Sequence, residues 1–150
     1  MGLIWNDYKK DFNAKEGLDA EAIFLTFMSE TWKHDTTNAK LFPDPYNWYT
    51  CGIEDGMYQF FEFEFRTAKS LKGLGSIIKK YLGEIAFDIF QKCILQLMPL
   101  VNSNTPDSAA IDEISESMNA YFKKNELDLL HGIKKYLLAE GDNVAEEIGW

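Results

Sequence analysis

The side chains able to carry chemistry are few in this 150-residue sequence. His34 and His131 are the two histidines, and Cys51 and Cys93 the two cysteines. A thiol or hydroxyl nucleophile needs a base beside it and a third group to orient that base. No spacing here brings a cysteine and a histidine together. A zinc site needs three or four converging ligands, and no pair has ligand spacing. His34 ends a helical stretch, where a cation suits the helix dipole. His131 lies beside an apolar face in Leu129-Leu130-His131-Gly132 and reads as a structural histidine. Glu62 and Glu64 share one face of an expected strand and form a close pair of carboxylates. Such a pair does acid–base work when one member is desolvated. Arg66 follows on the same side, so a solvated, charge-balanced surface is expected. Glu54-Asp55-Gly56 lacks the alternating ligands of a calcium loop. The sequence therefore predicts no catalytic residue, no metal and no cofactor.

One motif points to anion chemistry. Gly73-Leu74-Gly75-Ser76 precedes an apolar helical run and is flanked by Lys69, Lys72, Lys79 and Lys80. Free backbone N–H groups at a helix start attract anions. Gly75, Ser76, Lys79 and Lys80 are the candidate anion-binding residues. The P-loop order of Gly-Lys-Ser/Thr is missing, as is the third glycine of a dinucleotide fingerprint.

These residues must be positioned by a recognisable set of elements. Ile4, Trp5, Tyr8 and Phe12 have helical spacing. Asp19 caps a helix expected to reach about His34. Pro43 and Pro45 punctuate the loop that follows. Residues 47–53 and 57–66 then read as two strands: Phe61, Phe63 and Phe65 alternate with Glu62, Glu64 and Arg66, and Asp55-Gly56 is a hairpin turn signal. A long apolar helix is expected over about 76–97, with Lys80, Glu84, Asp88 and Lys92 forming one polar line and Pro99 ending it. Asp107 or Ser108 caps a further helix, which Asn125 interrupts. A last one runs from Glu126 to Ala139, with Gly141 as its C-terminal cap. The expected fold is α+β: three to four main helices around the long central helix, with a small antiparallel β-hairpin at about 47–66, in a single domain. A mostly helical bundle with the hairpin as an appendage is the alternative.

Charge narrows the function classes. The net charge is −9, from 15 basic and 24 acidic residues. Fourteen of the bases are lysine, which disfavours clamping of phosphate by arginine forks. Residues 1–67 carry −6, residues 68–100 carry +3 and residues 101–150 carry −6. An acidic chain is a poor passive binder of nucleic acid or anionic membrane. No apolar stretch reaches spanning length, and Met1 to Asp7 has no signal-peptide pattern. Two isolated thiols suit a reducing cytoplasm.

The leading expectation is a non-enzymatic acidic interaction protein, an inhibitor of the immunity-protein or antitoxin type. It would occlude a basic partner: a toxin, a nuclease or a nucleic-acid-binding protein. The proline loop and hairpin would present Asp44, Tyr46, Trp48, Glu54, Asp55, Glu62 and Glu64 as one acidic-aromatic edge. The alternative is a small-molecule or phosphate-ligand domain using the Gly73–Lys80 turn. A structural oligomer subunit, packed through the central helix, is a third reading.

Overall fold

The computed structural model describes residues 5, 6, 9, 10, 31, 33, 41–54, 56–63 and 68–149. Among these residues there are six helices and no strand. They are α1 (Asp44–Ile53), α2 (Met57–Phe63), α3 (Ala68–Leu82), α4 (Glu84–Val101), α5 (Ser108–Lys124) and α6 (Glu126–Ile148). The expected α+β class is overturned, because the segment read as a hairpin forms α1 and α2. Residues 64–67 of that segment lie outside the described residues. So does the helix expected over Asp19–His34, except for Thr31, which is helical and fully buried, and Lys33.

The reason is a coincidence of periods. Met57, Phe60 and Phe61 are all buried, at positions one, four and five of α2, while Gln59 and Glu62 are exposed. That is helical spacing. Pro45, Trp48, Tyr49 and Gly52 follow the same rule on α1 and are buried too. Pro45 is tolerated because it occupies the first turn, where its missing N–H has no partner to lose. Asp55-Gly56 does not turn a hairpin. The Gly56 N–H donates to the Cys51 carbonyl at 2.8 Å, the six-to-one bond that closes a helix.

The central helix expected at 76–97 is also corrected. It is two helices, α3 and α4, joined at Gly83. The Gly83 N–H closes α3 on the Ile78 carbonyl, and its own carbonyl opens α4 by accepting from Phe87, each at 3.1 Å. One residue performs both tasks at φ 99° and ψ 172°, a conformation essentially confined to glycine. Lys79 lies beside Phe87 and Gly75 beside Phe87 and Phe90. Partners thus move toward the start of α3 as α4 advances, so the pair is antiparallel. Pro99 does not end α4, which continues to Val101.

The helices after α4 follow expectation more closely. The Asp107 carboxylate accepts from the Ala109 and Ala110 N–H groups at 3.0 and 3.3 Å, an N-cap for α5. Asn125 terminates that helix. The final helix runs past the expected stop at Gly141, which is buried inside α6 under the Trp5 ring. A side chain at Gly141 would collide with that indole.

The chain divides into two compact units, Met1–Asp44 with Ile133–Trp150, and Pro45–Gly132. In the first, Trp5, Phe42, Tyr136, Leu137 and Val144 are buried. The Tyr136 hydroxyl donates to the Phe42 carbonyl at 3.3 Å, and the two rings stack tilted, 5.4 Å between centroids. The Trp5 indole N–H donates to Asp142 at 2.7 Å, and Lys9 pairs with the same carboxylate at 3.0 Å.

In the second unit α4 packs against α2, α3 and α5, and α2 also packs against α5. Trp48 of α1 is fully buried between Phe90 of α4 and Phe122 of α5, edge to face with both, at 5.8 and 4.7 Å. Gly52 lets the Phe122 ring lie directly on the α1 backbone. The Asn119 side-chain amide donates to the Gly52 and Ile53 carbonyls at 3.0 and 2.8 Å. It thereby satisfies acceptors that the end of α1 would otherwise leave open.

Candidate functional site

The acidic-aromatic edge does not form as expected. Trp48 is fully buried, and Tyr46 and Asp44 are 6% and 8% exposed. Glu54 and Glu62 are exposed. Asp55 and Glu64 lie outside the described residues. Burying an indole removes about 150–250 Å² from water, about 4–6 kcal/mol at the usual coefficient. That outweighs the roughly 1–3 kcal/mol cost of leaving its N–H without an acceptor, and the Trp48 Nε1 indeed has none. Trp48 is a core residue and not an interface anchor.

The candidate anion turn is relocated as well. Gly73, Gly75 and Ser76 lie inside α3, so their N–H groups belong to the helix ladder. The free donors of a helix start, which the expected phosphate turn needs, are absent at that point. Yet the same residues meet again across the α3–α4 hairpin. Gly75, Ser76 and Lys79 line an open groove of about 560 Å³. Lys80 does not line it; its ammonium lies 5.2 Å from the Tyr81 ring centroid.

The groove has two chemical layers. Leu71 and Gly75 of α3, with Phe87, Phe90 and Ile94 of α4, supply an apolar floor. Gly75 is what admits the rings. A Cβ there would stand 3.2 Å from both Phe87 and Phe90, closer than such contacts usually come. Lys72 and Lys79 form the rim, with Gln91 opposite. The lysines are seven positions apart, so they share one stripe of α3 about 10.5 Å along its axis. The Lys79 ammonium sits 5.3 Å from the Phe87 centroid, laid against the floor by a cation–π contact. No carboxylate of the described residues pairs with Lys72 or Lys79. The Ser76 hydroxyl donates to the Lys72 carbonyl at 3.1 Å, so its proton is already used within the helix.

The thiols stand apart from this groove. Neither forms a disulfide; Cys51 is half-buried and Cys93 fully buried. Burial pushes the Cys93 thiol up to about 12, against a weaker opposing influence from the Trp48 indole. Cys93 is therefore a neutral core residue. His131 is exposed on α6, and His34 lies outside the described residues. Among the described residues no three metal-ligating side chains stand together, and no helix is long and apolar enough to cross a membrane.

Composition and motif reading found the lysines and the small residues of this groove but not its floor. Phe87 and Phe90 carry no motif. The one signal for them was Gly83, whose break folds α4 back on α3. Comparison of the chain with protein-family models, curated proteins and solved structures finds no match.

Proposed function

We propose that the second unit is a binding module for a small anionic amphiphile, a carboxylate or phosphate carrying an aliphatic or aromatic body. One observation carries this reading: an apolar floor and two ammonium groups without carboxylate partners share a groove of about 560 Å³. That volume and lining are those of ligand sites, mostly apolar with a few polar groups to fix orientation. The body of the ligand would cover Phe87, Phe90 and Ile94. Its anionic head would lie between Lys72 and Lys79, with the Gln91 amide as a further donor. The segment is also the basic stretch of an acidic chain, so its local field favours an anion where the rest of the surface repels one. The role is binding without chemical conversion. Two cysteines that form no disulfide accord with a reducing cytoplasm as its setting.

Calorimetric titration with decanoate, phenyl phosphate, inorganic phosphate and decanol tests it. Decanoate and phenyl phosphate should bind, and phosphate alone and decanol far more weakly. Lys72→Ala with Lys79→Ala should cost at least about tenfold in affinity, or 1.4 kcal/mol, with the circular dichroism spectrum unchanged. Equal binding of decanol and decanoate, or full affinity in the double variant, refutes the reading.

A further inference from the structure

A second cavity of opposite character lies in the same unit, between the start of α2 and the middle of α5. It is small, about 270 Å³, below the range of about 300–1,000 Å³ common to small-molecule sites. Asp112 and Glu116 line it from successive turns of α5. Neither carboxylate has a cationic partner among the described residues. Ser115 lines it too and is only 6% exposed. Its hydroxyl has no hydrogen-bond partner among the described residues. The oxygen is not sealed from the cavity, so it is open to a donor that enters there. From α2 come the Gln59 amide and Tyr58. Partial burial, then the hydrogen bond and charge of Glu62, raise the Tyr58 phenol above its usual value. Tyr58 thus keeps its proton, and it lines the cavity. No lysine or arginine lines the space.

Two carboxylates, a hydroxyl oxygen and an amide oxygen around one cavity call for a cation rich in donors. A guanidinium has five N–H groups in a planar fork, and an ammonium has three. The guanidinium also stacks on aromatic faces such as that of Tyr58. We propose that the α2–α5 pocket receives the guanidinium of an arginine side chain presented by a basic protein. The cavity suits one side-chain head more than a whole ligand. The neighbouring Glu54, Glu62 and Glu113 are exposed and extend the negative field that would steer such a partner. This site shares no residue with the α3–α4 groove and stands or falls independently of it. It gives the acidic interaction reading a different surface, with Asp112, Ser115 and Glu116 in place of Tyr46 and Trp48.

The test is a titration of the full chain, followed by amide NMR at physiological salt, with acetyl-glycyl-arginyl-glycinamide. The matched lysine and citrulline peptides are the comparators. The arginine peptide should shift the amides of residues 56–59 and 111–116. It should bind about fivefold or more tighter than the lysine peptide, since the fork bonds bidentately. The uncharged citrulline peptide should not bind. Asp112→Asn with Glu116→Gln, both exposed positions, should abolish the shifts while leaving the rest of the spectrum in place. Ser115→Ala should weaken the arginine peptide without abolishing it. Shifts scattered over all exposed acids, shifts that persist in the double variant, or equal binding of lysine and arginine would each overturn the assignment.

Discussion

At Cys93 burial decides the chemistry. A thiol held near 12 is protonated at every physiological pH, and only the thiolate is a nucleophile. Brief treatment of the folded protein with iodoacetamide at pH 8 should therefore leave Cys93 unmodified, while denatured protein is alkylated at both cysteines. Peptide mass spectrometry reads the outcome, and rapid native alkylation of Cys93 would contradict its placement. The same core explains what was hidden at this scale. Trp48 sits in a proline-rich, polar neighbourhood, and side-chain type alone made it a plausible anchor. Its fate depends on Phe90 and Phe122, which are 42 and 74 positions away. No local pattern announces those contacts. Ser115 is a similar case, an unremarkable residue of α5 until α2 closes over it.

At the scale of elements, capping chemistry was legible at α5, and period in the segment before Phe63 was not. Asp107 and Asn125 bound α5 where their side-chain preferences say they should. In Met57–Phe63, by contrast, the helical spacing of Met57, Phe60 and Phe61 was masked by the two-residue alternation that starts at Phe61 and runs on to Arg66. Strand and helix then differ only in which partners are available, and α4 and α5 supply helical ones. Gly83 was the overlooked sign. It is the single residue between α3 and α4, and the groove exists because of it. A Cβ at Gly83 would meet nothing within 4 Å, so Gly83→Ala introduces backbone strain without collision. The expected cost is about 1–3 kcal/mol, read as a lower urea midpoint at unchanged slope. An unaltered midpoint would mean that the junction adopts another conformation.

Across the whole molecule, the division of charge along the sequence survives as a division between two cavities. The basic stretch 68–100 holds the groove rimmed by Lys72 and Lys79, and the acidic C-terminal third holds Asp112 and Glu116. Sign was readable from counting; location needed the fold. Charge also shapes the response to acid. Hydrogen bonds from Trp5 and then from Lys9 hold the Asp142 carboxyl below its usual value. A depressed carboxylate contributes stability above its unfolded pKa of about 4 and loses it as pH falls through the folded value. Asp142→Asn should thus narrow the gap between stabilities measured by urea at pH 7 and at pH 3. The side chain is 56% exposed, so solvent screening keeps the effect modest. A variant that loses as much stability in acid as the parent would show that the Trp5–Asp142 bond is not formed in solution.

The enclosure of Trp48 has an optical consequence. An indole shut away from water and edge-on to two phenyl rings emits at the blue end of the tryptophan range. The second unit therefore carries its own dye, blue when folded and red-shifted when opened, and it needs no label to report either state.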